Sequence, residues 1–281
     1  MRSATAAIAT HTLVPGHSAL VISVPHAGTA VPQDLVPQLT PLALTIPDTD
    51  WHVAELYDFA PALGASMIVA RYSRYLIDLN RPPDDAALYS AAPRTGLCPT
   101  LSFAGEALYL DPALAGASGG VSATLGDTEI ERRRRLYWQP YHDALRALLD
   151  ATVARCGHAV LLDAHSIRSV VPRLFSGRLP DINIGTYDGR SCAPEVTAAV
   201  QAQLAAALQC SQVFNGRFKG GHITRHYGQP AQRVHALQIE LAQCAYMDES
   251  SIAYQADRAA PLRALLSSIV RALLQLPLAA S

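Results

Sequence analysis

The chain has 281 residues, half of them hydrophobic, and a formal net charge of -1 at pH 7. That is enough chain for one large core, and the near-neutral balance gives no electrostatic case for nucleic acid or an anionic membrane as partner. Five cysteines, widely spaced and never in a Cys-x-x-Cys pair, argue against a disulfide framework or a thiolate zinc site. With no apolar run near the ~18 residues of a membrane span and no continuous apolar stretch in "MRSATAAIATHTLVPG" to make a signal peptide, a soluble cytoplasmic protein is expected.

From the N-terminus, the first strand is expected over 20–24, and "VPH" ends it by delivering His26 into the small-residue turn of Ala27 and Gly28. A helix is expected over 50–63, where Val53, Leu56, Ala60 and Leu63 recur at helical spacing and Gly64 is the stop. Strands are expected over 67–71 and 75–79. Residues 81–126 are rich in Pro, Ala, Gly and Ser and have little periodicity, which predicts a long ordered excursion over the active face. A helix over 127–155 begins at a cap on Asp127 or Thr128, with Glu129 and Glu131 in its first turn, and Pro140 is expected to kink or split it. Within it, "ERRRRLY" spreads its arginines around what is expected to be a solvated helix. Strands over 159–163, 183–186 and 236–241, with helices over 194–208 and 254–274, complete the chain. Nearly all-apolar strands alternating with helices predict one α/β domain spanning 1–281, a three-layer sandwich around a mixed, mostly parallel sheet.

Ligands of open α/β sheets bind beyond the carboxyl ends of parallel strands, so polar residues there carry the chemistry. "SVPH" ends on His26, "YLIDLNR" on Asn80 and Arg81, "VLLDAHS" on Asp163, His165 and Ser166, and "ALQIEL" carries Glu240 inside an apolar run. A catalytic zinc takes about three ligands from His and Asp/Glu and keeps one position open. His26 and His165 are the best histidines, and the third ligand should be a carboxylate. Asp50 is favoured over Asp48 in "DTDW" and over the His52–Glu55 pair in "HVAE", whose i,i+3 spacing also suits the surface of an amphipathic helix. Glu240 is the candidate general base, deprotonating the attacking water and passing the proton to the leaving amine. Arg74 could stabilise an oxyanion, and Asn80 with Arg81 could hold a substrate carboxylate. The bland reading of both arginines is pairing with Asp78, Asp84 or Asp85.

A second polar cluster, "FNGRFKGGHITRHYG", places Arg217, His222 and Arg225 in a glycine-rich basic loop suited to an anionic substrate. Gly-x-Ser-x-Gly, Gly-x-x-x-x-Gly-Lys and Gly-x-Gly-x-x-Gly are all absent, which argues against serine-hydrolase chemistry and nucleotide binding.

Together, "SVPHAG", "PDTDWHVAELYDFA", "ARYSRYLIDLNRPPDD", "TGLCPT", "LLDAHSI", "INIGTYDG", "FNGRFKGGHITRHYG" and "QIELAQ" resemble, in order and over nearly the whole chain, the N-formylglutamate amidohydrolase (deformylase) family of histidine degradation. The family's relatives are zinc carboxypeptidases and aspartoacylase-like deacylases, so the resemblance implies a phosphorylase/hydrolase-like fold and one divalent metal ion, zinc. It also implies hydrolysis of N-formyl-L-glutamate, a small anionic substrate, to formate and L-glutamate. Their order of zinc His, oxyanion Arg, Asn-Arg pair, zinc His and catalytic Glu falls on His26, Arg74, Asn80–Arg81, His165 and Glu240. Thr29 stands where those relatives carry a glutamate three residues after the first histidine, so the third ligand must come from elsewhere, and Asp50 fits best. The same site acting on another N-acyl amino acid, or a binding protein that kept the fold, are the rival readings.

Overall fold

A computed structural model describes residues 9–87, 95–111, 125–207 and 209–278. Seven strands form one sheet: β1 (His11–Val14), β2 (Leu20–Val24), β3 (Ser66–Ala70), β4 (Ala159–Ile167), β5 (Ile182–Gly185), β6 (Gln212–Phe214) and β7 (Val234–Ala242). Their order is β1-β3-β2-β4-β7-β5-β6. Strands β3, β2, β4 and β7 run parallel, while β1 is antiparallel to β3 and β5 to β7. The sheet is therefore mixed and mostly parallel, as its apolar strands predict.

Side chains alternate across a strand, and this alternation sorts the core into two faces. Leu20, Ile22, Val24, Val160, Leu162, Leu237 and Ile239 pack with the helices α2 (Val53–Leu56), α5 (Pro194–Ala205) and α7 (Ala256–Leu274). Val21, Ile68, Leu161 and Ala236 pack on the other face with α4 (Gln139–Cys156) and α6 (His222–Tyr227). The remaining α-helices among the described residues are α1 (Pro41–Leu44) and α3 (Asp127–Arg133), and a two-stranded ribbon, β8 (Met247–Asp248) with β9 (Ala253–Tyr254), precedes α7.

Four local expectations need correction. The helix expected over 50–63 is broken into a single turn, α2, and a 3-10 turn at Pro61–Leu63. His52 sits at φ 60°, in the left-handed region, and Pro61 has no N–H to continue a helix. The apolar run 75–79 is buried but is not a strand; Leu76 N–H turns back to Ser73 O, and Asp78 N–H donates to Leu97 O. Strand β4 continues past 163 to Ile167, because β7 pairs with it over its whole length. The helix expected over 127–155 is capped at Gly126 rather than at Asp127 or Thr128, and near Pro140 it is interrupted as expected, α3 passing into α4 through a π-helical turn, Arg134–Trp138. The wider turn accommodates the proline's missing donor.

The arginine run also departs from a uniformly solvated face. Arg133 is fully buried, with Nε donating to Glu129 (2.7 Å) and Nη1 to Leu76 O (3.0 Å) and the Tyr109 hydroxyl (2.8 Å). Of the stretch 81–126, residues 88–94 and 112–124 lie outside the described residues; the described part brings Ala87, Thr95 and Phe103 to the wall of a pocket. No described helix is long and apolar enough to cross a membrane. Arg133→Ala leaves the buried Leu76 carbonyl and the Tyr109 hydroxyl without their donor, while Arg132 stays on Glu129. It should lower the free energy of unfolding by about 2–3 kcal/mol, measured by urea titration.

Candidate active site

The pocket opens at the carboxyl ends of β2, β4 and β7, on the α4–α6 face of the sheet. Period two puts Asp163 and His165 of β4 on that face, and Gln238 and Glu240 of β7 likewise. Register aligns them, with Asp163 opposite Gln238 and His165 opposite Glu240. His26 arrives two residues past β2. Asp50 is tied to it through the backbone, its N–H donating to His26 O at 3.1 Å.

Ligand atoms of His26, Asp50 and His165 lie within 4.8 Å of one another, and all three side chains are buried. The group could hold a metal ion. Each imidazole has one nitrogen on an outer carboxylate. His26 Nε2 is 2.8 Å from Asp78 Oδ1, and His165 Nε2 is 2.9 Å from Asp163 Oδ2. Both Nδ1 atoms therefore turn inward, His165 Nδ1 to 3.1 Å and His26 Nδ1 to 3.7 Å from Asp50 Oδ2. Carboxylate–histidine pairs of this kind fix the ring and raise the basicity of the inward nitrogen toward a metal. Asp163 is held in turn by the Ser23 hydroxyl at 3.2 Å, itself 3.0 Å from Tyr141 OH.

The donor set is two nitrogens and one oxygen, which suits a zinc-type ion with room for further ligands. The electrostatics agree. Asp50, Asp78, Asp163 and Glu240 are all buried around the group, while Arg74 is the cation that bridges two of them. Its Nη2 donates to Asp78 at 2.7 Å and its Nη1 to Asp50 at 3.4 Å. Burial would raise Asp78, but Arg74 and His26 override it and hold the carboxyl well below its ordinary range. Burial likewise opposes ionisation of Asp50, and the contacts with His165 and His26 overcome it. Glu240 has no such guanidinium contact. Burial pushes its carboxyl up to about 8, against the pull of His165 and Arg74.

The rival carboxylates are occupied elsewhere. Asp48 accepts from Tyr75 OH and Phe103 N–H, both at 2.7 Å. His52 Nδ1 lies 3.4 Å from the half-exposed Glu55, and its Nε2 bonds Ile252 O.

The expected substrate-binding residues divide. Asn80, Arg81 and Arg217 line the pocket. His222 and Arg225 are not among its lining residues. His222 is buried against Trp138, His142 and His226, where burial lowers its pKa to about 4. Arg225 stacks over Tyr187 at 4.6 Å and donates to Gly220 O. Their alternation with apolar residues in α6 turns both away, which a loop reading of that stretch had no means to anticipate. Asn80 faces the pocket with its amide already engaged. Its Nδ2 lies 3.0 Å from His165 Nε2 and 3.3 Å from Asp163, and its Oδ1 accepts Ile223 N–H at 2.8 Å. Gly221 permits this approach, since a Cβ there would lie 2.3 Å from the Asn80 amide.

Three site residues were not singled out from sequence. Asp163 was visible as a strand-end carboxylate two positions before His165. Asp78 appeared only as a partner for Arg74. Gln238, which donates to Glu240 at 2.9 Å and accepts Gly221 N–H at 2.8 Å, carries no charge to draw notice.

The fold and this arrangement define an α/β protein whose buried His–Asp–His group could hold a metal ion beside a buried glutamate. The N-formylglutamate amidohydrolase family model matches residues 18–247, and the chain belongs to that family. It is 50% identical over 262 residues to N-formylglutamate deformylase of Pseudomonas aeruginosa, covering 92% of this chain and 94% of that protein. It is 47% identical to N-formylglutamate deformylase of Pseudomonas putida, covering 92% and 93%. The crystal structure of N-formylglutamate amidohydrolase from Ralstonia eutropha JMP134 superposes with a TM-score of 0.75 at 27% identity, over 94% of this chain and 97% of that one.

Asp163→Asn removes the charge behind His165 Nε2 without changing the side chain's size. It should weaken binding of a divalent metal ion by about 10–100-fold with an unchanged circular dichroism spectrum, measured by competition with a chromogenic chelator.

Proposed function

We propose that the protein hydrolyses N-formyl-L-glutamate to formate and L-glutamate, as a step of histidine degradation in the cytoplasm, with one zinc ion held by His26, Asp50 and His165. The observation that carries this reading is the pair of inward Nδ1 atoms converging on Asp50, with Glu240 opposite His165 in the sheet. Family membership and the two deformylase relatives support the substrate. When bound, zinc supplies Lewis-acid polarisation of the formyl oxygen and acidifies the attacking water.

The chain's own residues do the rest. Glu240 takes the water's proton as the water oxygen bonds to the formyl carbon, then delivers it to the glutamate nitrogen as the C–N bond breaks. A carboxyl raised toward neutral pH suits both directions of transfer. Gln238 fixes one carboxyl oxygen of Glu240, leaving the other for the proton. Arg74, largely buried beside the group and oriented by Asp78, supplies fixed positive charge for the developing oxyanion. Arg81 and Arg217 hold the substrate's two carboxylates, guanidinium matching carboxylate in a bidentate fork. Asn80 acts by holding His165 and Asp163 rather than by binding substrate. We infer one domain over 1–281, in which Ala87, Thr95 and Phe103 of the stretch 81–126 form part of the pocket's wall; Thr95, which accepts from Arg81 at 2.6 Å, supports that placement. Five free cysteines accord with a reducing compartment.

Formate release from N-formylglutamate should fall to background after removal of metal with a chelator and return on adding zinc, whose content is followed by elemental analysis. N-acetylglutamate should turn over more slowly; a preference for it would replace deformylation with deacylation. Glu240→Gln should keep the metal and lower kcat by ~10²–10⁴-fold, and near-normal turnover would remove Glu240 from the base role.

A further inference from the structure

A second cavity adjoins the pocket, bounded by the stretches 42–48, 102–106 and 167–172. Among the described residues, Phe103 and Ile167 are the two that line both. They form the partition between the reaction pocket and unused space.

Each is fixed from a different side. The N–H of Phe103 donates to Asp48 Oδ2 at 2.7 Å, an oxygen that also accepts the Tyr75 hydroxyl. The Arg74 guanidinium lies 4.7 Å over its ring. Ile167 is the last residue of β4, 5% exposed, and lies on the face that carries His165. Both pack with Val171 and Leu174 in a small apolar cluster apart from the two main core faces.

Both stand beside the groups assigned to the reacting carbonyl. Phe103 lies under the guanidinium of Arg74, assigned to the oxyanion, and Ile167 follows His165, assigned to the metal, by two residues on the same face of β4.

We propose that Phe103 and Ile167 form the specificity-determining wall that limits the acyl group to formyl. This rests on the function proposed above. A formyl group carries only hydrogen beyond its carbonyl carbon. Each added methylene must displace a ring stacked on Arg74 and carried on a backbone anchored to Asp48, or a strand-borne isoleucine, and close packing makes that displacement costly. Truncating either side chain joins the two cavities and makes room for longer acyl groups.

The test compares zinc-loaded wild type, Phe103→Ala and Ile167→Ala. Their kcat/KM is measured on N-formyl-, N-acetyl- and N-butyrylglutamate, and on N-formyl-2-aminoadipate, which lengthens the side chain instead. Both variants should raise the acetyl-to-formyl and butyryl-to-formyl ratios by ~10-fold or more, with the aminoadipate-to-glutamate ratio unchanged. Ile167→Ala keeps the ring that stacks on Arg74, so a shift common to both variants does not come from a disturbed guanidinium. It also carries the test alone if Phe103→Ala fails to fold. Parallel loss on every substrate, or a shift confined to aminoadipate, overturns the wall. Lack of N-formylglutamate turnover by zinc-loaded wild type overturns the function beneath it.

Discussion

A carboxylate removed from water is stable only where charge or hydrogen bonds replace its hydration. Asp50, 1% exposed, obtains that replacement from three separate pieces of chain. His165 Nδ1 and Ser166 N–H reach it from β4, His26 Nδ1 from the turn after β2, and Arg74 from the loop after β3. None of these groups could move far without stranding a buried charge. The geometry of the active face is therefore registered on this one residue. Its own backbone donates to His26 O, which closes the circuit between the first histidine and this carboxylate.

The two ends of the hydrolytic machinery are then held by different physics. His165 and Glu240 sit on adjacent parallel strands, opposed in register, and owe their separation to the sheet ladder. Arg74, Asp78, Asn80 and Arg81 sit on a stretch with no ladder at all. Sheet placement makes the first pair rigid at no cost in specific contacts. The second set must be positioned by side chains, and those contacts double as the electrostatics of the site: Asp78 orients both His26 and Arg74, and Asn80 bridges His165, Asp163 and the start of α6.

What could be read from sequence follows the same division. Strand-end residues were legible because all-apolar runs such as "LVISV" and "VLLDAHS" mark buried parallel strands, and polar residues at their ends have few structural explanations. His26, His165 and Glu240 followed from that rule, and Asp50 from the need for a third carboxylate. The run 75–79 was misread for a physical reason. Its Tyr75, Leu76, Ile77 and Leu79 are buried as a strand's would be, and periodicity reports burial rather than pairing. The helix over 50–63 failed because Asp50 and His52 serve the site and the ribbon before α7, contacts from distant chain that override local spacing. Outer carboxylates were illegible in role: Asp163 stood at a strand end with nothing in the sequence to tie it to His165, and Asp78 read as a partner of Arg74. His222 and Arg225 were drawn to the pocket by composition alone, whereas the helix that carries them points their side chains into an aromatic cluster and onto Tyr187.

The misread run also explains why one arginine among four is buried. A buried stretch outside the sheet leaves carbonyls without partners, and each must find a donor. Three donors come from one helical segment: Arg133 to Leu76 O, His142 to Leu79 O at 2.9 Å, and the Trp138 indole to Arg81 O at 3.0 Å. In an unbroken α-helix, residues five apart point to different sides. The π-helical turn between Arg133 and Trp138 spans five residues and brings them back toward a common side. Trp138 then stacks on His142 one turn later, with ring centroids 3.7 Å apart. The local irregularity that accommodates Pro140 thus supplies the phase shift by which one helix caps the loop bearing Arg74, Asp78, Asn80 and Arg81. A straight helix would satisfy the proline less well and would leave one of those carbonyls bare.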